Sequence, residues 1–198
     1  MEQREYRCVK RTRKAFADAF VALAKTRPIN KITVKALCEK TQMSRNAFYF
    51  HYEDINDLRQ EIENNLLNEI RALLADLGTV GFPQNVLEVI RSLIDLLLER
   101  RDVCLMLLDD AYYGTFTLRI YEIFSNFFYP FFVRYNGEES RAAFEYYYTF
   151  ISDGFFGMAR RFLNDPSGFP REKFSALCYT FIKRLMVPQS PSLDFLNK

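Results

Sequence analysis

Apolar positions recur at the three- and four-residue spacing of amphipathic helices along nearly the whole chain. Phe16, Phe20 and Leu23 fall at i, i+4 and i+7 and form the first stripe. Arg27-Pro28 closes that helix, because the residue before a proline is pushed out of helical geometry. Thr33 and Ser44 read as N-caps of two short helices, Val34 to about Lys40 and Arg45 to about Phe50. A capping hydroxyl accepts from an otherwise unpaired amide two or three residues on. Asp54 caps a longer fourth helix, with Asp57 at its third position, where a carboxylate suits the positive helix end. Leu58, Ile62, Leu66, Ile70, Leu73 and Leu77 run along it. Gly78, Gly81 and Pro83 interrupt the pattern, which resumes with Leu87, Ile90, Leu93, Ile94 and Leu97. Further helices are predicted near 102–110, 115–133, 138–163 and 170–186. Asn164 to Gly168 reads as a turn, Pro130 is expected to kink or end its helix, and the tail after Pro188 is expected to be irregular. Nothing alternates at period two for long, so the expected fold is all-α, with about nine helices.

Charge divides the chain in two. Residues 1–52 hold 12 Lys or Arg against 4 Asp or Glu, a net +8, whereas residues 53–198 carry a net −6. A cationic head on an acidic body is the footprint of a polyanion-binding module. The first three helices also fit a helix-turn-helix, whose second short helix enters the major groove. Val34, Leu37, Cys38, Met43 and Phe48 are expected to face inward, leaving Lys35, Gln42, Arg45, Asn46 and Tyr49 outward. Arg45 is suited to paired hydrogen bonds with guanine O6 and N7, and Asn46 to adenine. Tyr49 offers a ring and hydroxyl to the sugar-phosphate backbone, and the amides at the Thr33 helix start a seat for a phosphate oxygen. His51 is the sole histidine. It reads either as a phosphate contact or as a packed residue bridging the third and fourth helices, and packing is favoured.

The segment ITVKALCEKTQMSRNAFYFHYEDINDL, Ile32 to Leu58, resembles the signature of the TetR family of regulators. The matching places are Thr33-Val34, Leu37-Cys38, Ser44, Ala47, Phe48-Tyr49 and Phe50-His51-Tyr52. The resemblance implies a DNA-binding head over residues 1–53, a helical dimerisation and ligand-binding body over 54–198, and a homodimer reading a palindrome. The candidate DNA contacts are Thr33, Lys35, Gln42, Ser44, Arg45, Asn46 and Tyr49, with His51 on its phosphate-contact reading. Three positions depart from the pattern. Gln42 stands where a turn glycine is common, Asn46 where glycine is frequent, and Ile55 where a phosphate-touching lysine is common.

Nineteen of the 32 Phe and Tyr lie in residues 112–162. Core, ligand cavity and subunit interface are all open readings of that concentration, since buried Tyr wants a hydroxyl partner. Tyr112, Phe116, Arg119, Tyr147 and Ile151 are the expected cavity liners, with Arg119 either facing an anionic ligand or spent in a surface salt bridge. The resemblance places the dimer seam on the last two long helices. Phe155, Met158 and Phe162, with Phe181 and Leu185 opposite, are expected to bury it, and Gly154 and Gly157 to permit close backbone approach.

No Gly-rich phosphate loop, nucleophile–base set or metal-ligand spacing occurs, so neither enzymatic activity nor a cofactor is expected. No apolar run is long enough to span a bilayer and no secretory signal is present, so a cytoplasmic protein without membrane association is expected. Cys8, Cys38, Cys104 and Cys178 are scattered and expected to be reduced. The functional expectation is a repressor that binds a pseudo-palindromic operator and is released by a small-molecule effector. The alternative is an activator or architectural factor whose body recruits a protein partner.

Overall fold

The computed structural model describes residues 2–78, 86–108, 113–136 and 141–186, and among them every regular element is helical. The order is α1 (Glu2–Ala24), α2 (Val34–Thr41), α3 (Arg45–Tyr49), α4 (Ile55–Gly78), α5 (Val86–Glu99), α6 (Arg101–Leu107), α7 (Tyr113–Asn136), α8 (Arg141–Asn164) and α9 (Arg171–Met186). A single 3₁₀ turn, Ile29–Lys31, adds an element with no counterpart in the sequence pattern; it buries Ile29.

The helix starts follow the expected capping chemistry. The Ala36 amide donates to Thr33 Oγ1 (3.2 Å) and the Ala47 amide to Ser44 Oγ (3.1 Å). At α4 the Asp57 amide donates to Asp54 Oδ1 (2.9 Å), while Asp57 Oδ2 accepts from the Glu53 amide (3.2 Å). Such caps stabilise a helix by about 0.5–2 kcal/mol each, which matters most for α3, only five residues long.

Pro130 does not end its helix: α7 continues through it to Asn136. Proline removes one backbone donor. Flanking Phe127, Phe128 and Phe131 are packed against the α5–α9 cluster, and Phe132 against Phe144 and Tyr148 of α8, which hold the helix on both sides.

The head has no core of its own. One buried cluster runs from Phe16, Phe20 and Phe48 through Leu58, Leu66 and Ile70 of α4 into Leu107, Phe116 and Leu163 of the body. Phe16, Phe20 and Phe48 are fully buried, each stabilising by roughly 1.5–3 kcal/mol on area grounds. A second cluster joins Ile90 and Ile94 of α5 to Phe162 of α8 and to Phe174 and Cys178 of α9. Salt bridges tie α1 to its neighbours at the surface, Arg13 to Glu61 on α4 and Lys25 to Asp102 on α6 (2.6 Å). Exposed pairs of this kind contribute only about 0–1 kcal/mol.

Candidate nucleic-acid interface and effector cavity

The packing of α3 is set by Phe48. Its ring meets Phe16 edge-on at 5.3 Å and Tyr52 at 5.4 Å, and its side chain is fully buried. With Phe48 pinned inward, its helix neighbours are turned outward. Arg45, Asn46 and Tyr49 are exposed, as are Thr33, Lys35, Gln42 and Ser44. Among the described residues the side chains of Arg45 and Asn46 have neither hydrogen bond nor ion pair, so their donors are uncommitted. Lys35 pairs loosely with Glu39 (3.8 Å). Arg7, Lys10 and Arg11 on α1 are exposed too.

The turn between α2 and α3 pivots on Gln42, at φ 57° and ψ 29°. It is the one non-glycine with positive φ among the described residues. A left-handed conformation is costly for any residue with a Cβ, which is why glycine suits this place. The conformation brings the Gln42 and Met43 amides to the Cys38 carbonyl and closes α2. Ile55 is half-buried at the start of α4 and packs on the core, so it offers no cation there.

His51 sits in the turn after α3, half-buried, edge-on to Phe50 at 5.0 Å. Desolvation, and then the charge of Arg13, push its imidazole below the ordinary histidine pKa. Phe50 is a surface residue that the sequence pattern did not single out as a contact. It is 79% exposed beside Tyr49. Its signal was available: in the run Phe48-Tyr49-Phe50-His51-Tyr52 only Phe48 and Tyr52 are needed by the core.

In the body, a cavity of about 110 Å³ lies among α5, α7, α8 and α9. Tyr147 and Ile151 line it, with Phe128, Phe132 and Phe144. Phe116 instead lines a second, smaller cavity of about 40 Å³ between α4, α5 and α7. Tyr112 lies outside the described residues.

Arg119 lines neither cavity. It donates to Glu63 Oε1 of α4 (2.5 Å) and to Asn64 Oδ1 (2.6 Å). Of the two readings of Arg119, the salt bridge is the one that forms, and its partner carboxylate is buried rather than at the surface, 2% exposed. Glu63 also accepts from Arg59 (3.2 Å). A signal for Glu63 was present and went unread: Leu66, Leu67 and Ile70 lie at i+3, i+4 and i+7 from it, so helical period puts the carboxylate on the buried stripe of α4.

The residues expected at the interface differ in exposure. Phe162 is 4% exposed and stacks on Phe174 of its own chain at 4.2 Å. Phe155 lines the cavity and Met158 packs on the second cluster. Phe181 is exposed; the side chain of Leu185 lies outside the described residues. The open face of α8 carries Tyr146 and Phe150 together with the expected Gly154 and Gly157, one residue round from Phe155 and Met158 and so turned by about 100°. Tyr146 is 83% and Phe150 81% exposed, and a Cβ placed on either glycine would meet nothing within 4 Å. Leu177 and Phe181 of α9 are also exposed.

No group of His, Cys, Asp or Glu among the described residues is arranged to hold a metal ion. No helix among them is long and apolar enough to cross a membrane.

A capped helix-turn-helix carried on an all-helical body defines the class: a helical transcription regulator of the helix-turn-helix type. The profile of the TetR-type family described as "Transcriptional regulator C-terminal region" matches residues 84–184, and the chain belongs to the TetR family of transcriptional regulators. Solved structures share its fold. A TetR transcriptional regulator from Streptococcus agalactiae 2603V superposes with TM-score 0.65 at 18% identity, covering 93% of this chain and 99% of its own. Thermus thermophilus FadR, a TetR-family repressor in complex with lauroyl-CoA, gives TM-score 0.60 at 15% identity over 90% and 97%. The dihydroxyacetone kinase operon activator DhaS gives 0.58 at 15% identity over 88% and 96%. No curated protein sequence matches the chain.

Proposed function

We propose that this regulator is a repressor that binds a pseudo-palindromic DNA operator as a homodimer, each head laying α3 in a major groove. The observation that carries the reading is the pairing of an inward, fully buried Phe48 with outward, uncommitted Arg45 and Asn46 on a helix fixed by the Ser44 cap. Arg45 and Asn46 read base edges, while Thr33, Lys35, Ser44 and Tyr49 position the head on phosphates. Gln42 lies at the rim of the same surface. His51 acts by packing the end of α3 and supports the contacts around it.

The two heads are held at a fixed separation by a seam built from the exposed α8 and α9 face, with Tyr146, Phe150, Leu177 and Phe181 as its apolar content. The bare backbone at Gly154 and Gly157 lets a partner helix approach closely. The division at residues 53/54 marks where DNA-binding residues give way to the body, and α4 links the two. A small molecule in the α5–α7–α8–α9 cavity shifts the head spacing and releases the operator, because it favours the body conformation that receives it.

Selection of bound sequences from random duplex DNA, at moderate salt, tests this. A two-fold symmetric consensus is expected. Absence of enrichment, or enrichment unchanged when Arg45 and Asn46 are both replaced by alanine, overturns the α3 assignment.

A further inference from the structure

We infer that the body cavity selects an uncharged hydrocarbon group, a single ring or a short alkyl chain, and rejects carboxylates and phosphates. The inference rests on reading the α5–α7–α8–α9 cavity as the effector site and adds the chemistry of its ligand.

Three observations carry it. First, the wall is apolar: aromatic rings from α7 and α8, including Phe128, Phe132 and Phe144, face aliphatic side chains from α5 and α9, and among the described residues no charged side chain lines it. An ion entering such a space loses its hydration without a counter-charge, a cost of many kcal/mol. Second, the hydroxyls on the wall are committed inside the protein. Ser152 Oγ donates to the Thr149 carbonyl (3.0 Å), and the Tyr148 hydroxyl donates to the Tyr121 carbonyl (3.3 Å). Only Tyr147, half exposed at the edge, presents a hydroxyl with no such bond among the described residues, so it is the one wall hydroxyl whose proton is free for a ligand. Third, Arg119 of α7, the cation expected among the cavity liners, is held by Glu63 and Asn64.

Size sets the upper bound on the buried part. About 110 Å³ is somewhat below the roughly 150 Å³ of an engineered apolar cavity that stays dry and holds benzene.

The test uses the full chain without DNA at neutral pH, titrated with toluene, 1-hexanol, benzoate and hexanoate while thermal unfolding is followed. Binding to the native state raises the melting temperature by mass action. Toluene or 1-hexanol is expected to raise it, which also tells a ring site from a chain site, and the matching anion is expected to bind at least about tenfold more weakly. Ile151→Phe and, independently, Leu93→Phe fill the space and are expected to abolish the response while keeping the wild-type circular dichroism. Anions binding as tightly as their neutral partners would overturn the inference. So would silence toward both neutral probes up to their solubility, or a response that survives in a folded filling variant. No DNA is present, so a negative result leaves the operator reading standing, and a failed operator selection leaves this one standing.

Discussion

Arg119 of α7 and Glu63 of α4 meet at 2.5 Å with the carboxylate almost wholly buried, and this contact joins a cavity-bearing helix to the helix that leaves the DNA-binding head. Removing one member of a buried ion cluster strands the others. Glu63→Ala leaves Arg59 and Arg119 facing each other without their shared acceptor, and stability measured by urea unfolding is expected to fall by about 3–5 kcal/mol. Arg119→Ala leaves Glu63 paired to Arg59, which costs less, about 1–3 kcal/mol. Equal losses for the two variants contradict Glu63 as the hub.

Arg45→Ala is expected to weaken operator binding by about 1–3 kcal/mol and to relax preference at one base pair of each half-site. Lys35→Ala should weaken all sequences alike and shrink the salt dependence by about one phosphate contact. Binding titrations at two salt concentrations separate the two signatures.

Gln42 holds a left-handed backbone at φ 57°. Glycine relieves about 1–2 kcal/mol of Cβ strain there and returns roughly half of it through a freer unfolded chain. Gln42→Gly should therefore stabilise by up to about 1 kcal/mol, a rise of about 2–4 °C in melting temperature. A drop in melting temperature shows that the side chain contributes more than its strain costs.

His51 titrates below its ordinary value, first through desolvation and then through Arg13. The unfolded chain therefore takes up a proton before the folded one does. Its contribution to stability is complete above the unfolded pKa of about 6.5 and declines as pH falls below it, until folded His51 is itself protonated. His51→Asn should flatten that part of the stability–pH curve. An unchanged slope between neutral and mildly acid pH assigns the dependence to other groups.

Phe150→Glu and Phe181→Glu are expected to turn a dimer into a monomer in sedimentation experiments, with a loss of at least about 2 kcal/mol in association. Phe162→Leu, by contrast, should lower folding stability and leave the association state alone, because its ring stacks on Phe174 within one chain.

The head was legible in the sequence almost residue by residue, because its signals are local. Thr33, Ser44 and Asp54 cap helices through bonds that span three residues, and the inward position of Phe48 follows from helical period. The body was legible only as helices. Phe150 and Phe155 lie about 140° apart around α8; which of them is left open depends on where α7 and α9 dock, and a chain so rich in aromatics supplies candidates on every face. Glu63 is half legible: its spacing from Leu66, Leu67 and Ile70 puts it on the buried face of α4, but nothing local names Arg119 of α7 as its partner. Pro130 marks the limit from the other side: of the two outcomes expected of it, a kink or an end, the helix end does not occur, and phenylalanines pack on either side of it.

The unbroken chain of buried side chains from Phe16 to Leu163 gives the molecule a gearbox without a clutch. Burial is continuous along that path, so the whole should melt in one sharp step, and proteolysis should not liberate an autonomous head. A small bulge pressed into the aromatic wall would be carried outward along α4 as a tilt, and two such tilts, mirrored across a two-fold axis, would pull the paired reading helices out of step with the turn of the double helix.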